Sequence, residues 1–295
     1  TGVVAPVTEV RTPQELVDLL RRGEISVGIA IPPDFERRKA DGGEAVQVMV
    51  DGSDTSVQGA AAQLAQMPLD ARAGGGEAPM ASTPPIRPVS VVAFYNPERR
   101  SAVNIVPGLI GVILTMTMVL FTAVAIVRER ERGNMELLIA TPLSSAELML
   151  GKVLPYVAIG FVQTTVILLL GTWLFAVPIR GGVAEVYAAA GLLILANLAL
   201  GLLISTRARS QFQAMQITFF IFLPSILLSG FMFPFAGMPR VAQWFSELLP
   251  LTHFLRLVRG VMLRGASLPE LWPDAMALVV FTIVLMGAAI LRFRK

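Results

Sequence analysis

The sequence has no cysteine, a single histidine and only 15% charged residues in a length of 295. Without Cys there is no disulfide framework, no zinc-thiolate centre and no thiol nucleophile, though this leaves the compartment open. An imidazole-based acid–base or metal centre has His253 alone to draw on, and no carboxylates pair at a catalytic spacing. A phosphate-binding loop is missing too: Gly151-Lys152 is followed by Val and lacks the upstream glycine, and Gly74-Gly75-Gly76 opens no helix. Asp51-Gly-Ser-Asp-Thr55 superficially suits a metal, but a strand end turning into a helix cap accounts for it. Neither an enzyme nor a resident metal is expected.

What is present is apolar: 54% of residues are hydrophobic and mean hydropathy is +0.67, beyond an ordinary water-soluble domain. The excess lies after residue 100. Residues 1–100 hold 10 Lys+Arg against 13 Asp+Glu, a net −3; the remainder holds 14 against 8, a net +6, and the sum is the +3 of the whole chain. The basic balance therefore belongs to the apolar part, where it reads as positively charged flanks of membrane spans and not as a nucleic-acid surface.

Five stretches, 105–127, 153–175, 186–205, 212–235 and 275–291, contain no Asp, Glu, Lys, Arg or His. Four reach the roughly 20 residues that cross a bilayer and the fifth is at the lower limit. Uncharged spans argue against an ion-coupled carrier, which needs ionisable groups at membrane depth. Nine Lys/Arg flank one side (Arg128, Arg130, Arg132, Lys152, Arg207, Arg209, Arg292, Arg294, Lys295) and five the other (Arg180, Arg240, Arg256, Arg259, Arg264). The bias places the 128–152 loop and the C-terminus in the cytoplasm and residues 1–100 outside.

Residues 1–60 read as an α/β unit. Apolar runs at Val3-Val4, Ile25–Ile31 and Ala45–Val50 alternate with helices starting near Pro13, Asp34 and Asp54. Thr12-Pro13-Gln14-Glu15 marks a capped helix start and Gly23 its stop. Residues 64–88, rich in Ala, Gly and Pro, read as a linker, and Val89–Tyr95 as one more strand. The domains expected are thus 1–100, extracytoplasmic, and 101–295, a helical transmembrane bundle.

The most informative motif is residues 128–143, RERERGNMELLIATPL. Alternating charges carry the first span out of the membrane and Gly133 breaks the helix. Asn134 caps a short new one bearing Met135, Glu136, Leu137, Leu138 and Ile139, and Thr141-Pro142 ends it. A charged loop on the positive side would account for the composition by itself. Yet the string resembles the intracellular loop of ABC-2 type export permeases, in which a short coupling helix seats in the ATP-binding subunit; Asn134 replaces the Thr usual in that family.

Two further stretches are similar to the same family. Met238–Gly265 reads as an amphipathic helix in the outer interface, with His253, Arg256, Arg259, Gly260 and Arg264 on one arc and Phe254, Val258, Val261 and Met262 on the other. Tyr95-Asn96-Pro97 precedes the first span as in the drug-exporting subgroup. The resemblance covers most of the chain. It implies six spans in the family against five here, so an upstream membrane helix is expected ahead of Thr1.

The resemblance implies an efflux subunit in a bacterial cytoplasmic membrane, surrounded by lipid and carrying no cofactor of its own. ATP and Mg would be bound by a separate ABC ATP-binding subunit. A second copy or close paralogue would complete the pathway, and a periplasmic adaptor with an outer-membrane channel would receive the drug or other amphiphile. The coupling residues would be Arg128, Glu129, Arg130, Glu131, Gly133, Asn134, Met135, Glu136, Leu138, Thr141 and Pro142. Thr115, Gln163, Asn197, Gln213 and Gln216, with Thr117, are the polar residues inside the spans; hydrogen bonding between helices and lining of a substrate path are both open to them. Export of a lipid or glycan, or a membrane sensor or structural role, are the alternatives.

Overall fold

The computed structural model describes residues 8–10, 12–40, 46–53, 57, 59, 89–98, 100–133 and 145–293. Residues 134–142, the expected coupling helix, lie outside them, as do Val3-Val4 and most of the helix expected from Asp54. The chain divides into two compact units, Thr1–Arg100 and Ser101–Lys295.

In the first unit, α1 (Pro13–Arg22) begins where Thr12 Oγ1 accepts the Glu15 N–H at 3.3 Å. It ends at Gly23, whose φ of +75° is left-handed and costs glycine nothing. After β1 (Val27–Ala30) and α2 (Phe35–Ala40) come β2 (Val46–Asp51) and β3 (Val89–Phe94). β1 pairs antiparallel with β2, Val27 opposite Val50, and β2 pairs parallel with β3, Val46 opposite Val89. Leu16 and Leu20 of α1 pack with Met49. Gly28 lets Leu16 close on β1, since a Cβ there would meet Leu16 Cδ2 at 2.2 Å. Past β3 the Tyr95-Asn96-Pro97 stretch forms a closed turn: Asn96 Oδ1 accepts the Arg100 N–H at 3.0 Å and Nδ2 donates to the Arg100 carbonyl at 3.1 Å.

The second unit is helical. α3 (Ser101–Glu131), α4 (Ser145–Trp173), α5 (Val183–Ser205), α6 (Gln211–Leu228) and α9 (Trp272–Phe293), the last with the short turn Leu268–Leu271 ahead of it, supply the five segments long and apolar enough to cross a membrane. Between α6 and α9 lie α7 (Arg240–Glu247), α8 (Pro250–Arg259) and a π-helical turn, Gly260–Arg264. Each span expected from sequence is present with shifted ends. The fourth stops at Leu228 and not at 235, because Gly230 turns to φ +89°. The fifth starts at Trp272 and so takes in Asp274.

α3 and α5 form the interior pair. In their most apolar windows 61% and 67% of residues are buried, against 22%, 17% and 11% for α4, α6 and α9, whose apolar side chains face outward. The pair can approach closely because Gly201 sits on α3: a Cβ there would lie 2.8 Å from the Val119 carbonyl oxygen and from Thr122 Cβ. Small residues at crossings serve helix association in lipid, where no water drives burial. Trp173, Trp244 and Trp272, all the tryptophans of the chain, are exposed at the end opposite the C-terminus of α3, as expected of an interfacial aromatic belt.

The amphipathic helix at Met238–Gly265 is corrected by the structure. It is not one surface helix but a pair, α7 and α8, and α8 is inserted into the bundle with eight of its ten residues buried, from both arcs. Two features permit this. Gly108 and Gly111 notch α3, so that a Cβ at Gly111 would meet Phe254 Cδ1 at 2.6 Å. On the polar arc His253 and Arg256 meet the carboxylates of Asp274 and Glu247, and Arg259 donates to the Gly230 carbonyl at 3.2 Å.

Candidate functional site

Two places in the second unit gather polar chemistry, one at each end. The first surrounds the C-terminal turn of α3. This helix is apolar until Val127 and then reads Arg128-Glu-Arg-Glu-Arg, ending before Gly133 at φ +73°. The charges are spent specifically. Arg130 Nη1 donates to the carbonyls of Ser205 (3.3 Å) and Ala208 (3.4 Å), at and just past the C-terminus of α5. Glu131 Oε1 accepts the Gln211 backbone N–H at 2.9 Å, and Oε2 accepts from the Gln211 side-chain amide, at the N-terminus of α6. A cation thus meets the free carbonyls of one helix and an anion the free N–H groups of the next, matching both helix dipoles. Ser210 caps the N–H of Gln213 at 3.2 Å, while Gln213 Oε1 accepts the Arg209 N–H at 2.8 Å. Beneath the polar layer Val119, Ala123, Val127, Ile204, Ala208 and Ala214 form a buried apolar cluster.

Beside this turn a cavity of about 390 Å³ opens between α3, α4 and α6, lined among others by Leu120, Phe121, Tyr156 and Met215 with Arg128 at its rim. A smaller one of about 130 Å³ adjoins it, bounded by Thr122, Arg128, Glu129 and Tyr156. The Thr122 hydroxyl is buried with no hydrogen-bond partner. An apolar, aromatic trough with a cation at one end suits an amphiphile.

The polar residues expected in the spans separate into groups. Thr115 and Asn197 meet inside the α3–α5 pair, Asn197 Nδ2 donating to Thr115 Oγ1 at 3.1 Å. Thr117 Oγ1 donates to Gln163 Oε1 at 2.9 Å, joining α3 to α4. Gln213 and Gln216 are exposed on α6, and Gln213 belongs to the capping turn. Of the coupling residues, Arg128 to Gly133 are described. Asn134, Met135, Glu136, Leu138, Thr141 and Pro142 lie outside the described residues.

The second polar place went unread in the sequence. His253 and Arg256 of α8, Glu247 of α7 and Asp274 of α9 form one cluster. His253 Nδ1 stands 2.8 Å from Asp274 Oδ1, and Nε2 stands 3.0 Å from the Glu247 carbonyl oxygen. Both partners only accept, so both ring nitrogens must donate, which only the imidazolium can do. Burial, the largest single influence, disfavours that charge. The Asp274 hydrogen bond, the Glu247 carbonyl and the two nearby carboxylates outweigh it and hold the imidazole above its ordinary value. Arg256 binds Glu247 through both terminal nitrogens, reaches Asp274 at 3.5 Å and lies 4.5 Å above the Phe235 ring. The signal was a lone His facing the polar arc, with Asp274 one residue outside an uncharged stretch. Helical-wheel logic treats such an arc as solvated and so missed the cluster.

Comparison with known proteins adds the following. A family described as "ABC-2 family transporter protein" matches residues 2–291. The "Probable multidrug ABC transporter permease YbhS" of Escherichia coli is 31% identical over 290 residues, 96% of this chain and 76% of that protein. YbhR of the same organism, described likewise, is 30% identical over 97% of this chain and 77% of its own length. "ABC transporter G family member 20" of Dictyostelium discoideum is 29% identical over 72% of this chain and 29% of its own length.

Proposed function

The chain belongs to the ABC-2 transporter family, and from that premise we propose that it is the membrane-spanning permease subunit of an ATP-driven multidrug or amphiphile exporter. The family match across residues 2–291 carries this reading. In it the protein is no ATPase; a separate ATP-binding subunit supplies the energy with ATP and Mg. Two permease chains face one another in a bacterial inner membrane, with residues 1–100 outside, where an adaptor and outer-membrane channel would receive the cargo.

The mechanism follows from the two ends of the bundle. The partner docks on residues 134–142, and its nucleotide-driven closure displaces the C-terminal turn of α3. The trough beside Phe121, Tyr156 and Met215 takes an amphiphile from the cytoplasmic leaflet, with Arg128 at its rim. Gln163, Gln213 and Gln216 are the span amides this reading assigns to the same path. Thr115 and Asn197, hydrogen-bonded to each other within the α3–α5 pair, hold that pair together. At the other end α7 and α8 close the bundle through the His253 cluster.

Co-purification with the ATP-binding subunit, followed by ATP-driven efflux from proteoliposomes, tests the assignment. Glu136→Arg with Leu138→Arg is expected to leave the chain inserted and the partner hydrolysing ATP, with export lost. Unchanged efflux by the double variant refutes the coupling role, and failure of any ATP-binding subunit to associate refutes the permease reading.

A further inference from the structure

We propose that the α5–α6 turn, Thr206–Ser210, is the joint through which movement of the coupling loop reaches α6, and that Arg130, Glu131 and Gln211 are its positioning residues. The inference rests on the permease reading and adds to it a route beyond the loop itself.

A coupling loop between α3 and α4 acts directly on those two helices alone. Yet α6, which lines the amphiphile trough through Met215, follows α3 by some 80 residues in sequence and has no covalent tie to the loop. The tie is supplied by two consecutive side chains. Arg130 holds carbonyls at the end of α5 and Glu131 holds the first N–H of α6, so the turn is gripped from both sides. Gripping both sides matters, because a contact to one helix would leave the other free to pivot at the turn. The cation could not serve at the start of α6, nor the anion at the end of α5, since each would face a dipole of its own sign. Arg-Glu order on α3 is therefore matched to the chain direction through the turn.

The grip is also stiff. Val127, one turn before Glu131, is fully buried with Ala208 of the turn and Ala214 of α6, so the polar layer lies over a packed apolar one. Displacement of the last turn of α3 then carries Ser205 to Gln211 with it, and α6 tilts. Arg128 lines the trough and, with Glu129, the smaller cavity beside it from this same last turn of α3, so the same displacement reshapes the trough.

The absence of cysteine allows a direct test. Phe220 is 79% exposed on α6, far from the turn, and Phe220→Cys accepts one environment-sensitive fluorophore in the full chain assembled with its ATP-binding subunit in lipid nanodiscs. Trapping with ATP and vanadate is expected to shift the emission. Glu131→Ala is expected to abolish the shift, with subunit assembly and ATP hydrolysis measured on the same sample. Glu131→Gln is expected to restore it, because the amide still accepts from the Gln211 N–H and its NH₂ donates to a flipped Gln211 side chain. Thermal stability of each variant in detergent separates a lost joint from a lost fold. A shift that survives in Glu131→Ala, or that Glu131→Gln fails to restore in a stable complex, overturns the joint. No shift in the otherwise unaltered chain despite assembly and ATP hydrolysis overturns it as well. Failure to assemble with an ATPase speaks instead against the permease reading.

Discussion

Deprotonation of His253 should weaken the closure of α7, α8 and α9 in a way that pH alone can read. The groups facing it are Glu247 from α7, Asp274 from α9 and Arg256 one turn along α8, with the Phe281 ring 5.8 Å away. Loss of the ring proton leaves one of two acceptors without a donor. A hydrogen bond to a charged group contributes about 1.5–3 kcal/mol. For a unit of this size each kcal/mol moves the melting temperature by about 2–4 °C, so the step should be about 3–12 °C. The folded chain holds this proton more tightly than the unfolded chain, so the stabilisation is complete below the unfolded-state value of roughly 6.5 and is lost as pH rises through the higher folded-state value. Unfolding of the full chain in detergent, followed by tryptophan fluorescence across that range, should show melting temperature falling on the alkaline side. His253→Gln should be less stable at the acid end and lack the step. A flat or rising profile in the unaltered chain, or an equal step in His253→Gln, would refute the imidazolium assignment.

Other outcomes follow from close packing and paired groups. Gly201→Val should separate α3 from α5, because the neighbour it meets is the Val119 backbone, which cannot turn aside; overpacking of this kind costs about 1–3 kcal/mol, read as a lower melting temperature. Gly133→Val, at a φ of +73°, should cost about 1–3 kcal/mol of backbone strain, seen as altered protease sensitivity after residue 131. Thr115→Val should strand the buried Asn197 amide for about 0.6–1.7 kcal/mol, and adding Asn197→Leu should recover most of it; full additivity in the double-mutant cycle would contradict the bond.

The spans and the helix caps were legible in the sequence because each rests on neighbours along the chain. Thr12, Pro13 and Gly23 bracket α1 with local bonds, and runs of uncharged apolar residues need no partner to announce themselves. What stayed hidden depends on distance in sequence. The alternating charges at 128–132 look like an exposed positive flank until Ser205 and Gln211, some 80 residues on, are brought beside Arg130 and Glu131. Burial of α8 was equally unreadable. An amphipathic pattern states which face is polar but not whether water or Asp274 satisfies it, and the notch at Gly108 and Gly111 lies on another helix. The contacts of His253 and Arg256 with Asp274 stayed hidden for the same reason, since they arise from an inserted helix that is not itself a span.

The tryptophan belt makes the protein its own optical side-marker. With Trp173, Trp244 and Trp272 exposed at a single end of the bundle, near-ultraviolet emission excited at the indole band is expected to report that end alone. A membrane-impermeant quencher added to sealed vesicles will therefore dim the protein almost wholly when that end faces the bath and scarcely at all when it faces the lumen. The orientation of every reconstituted sample can be counted in this way without attaching a label.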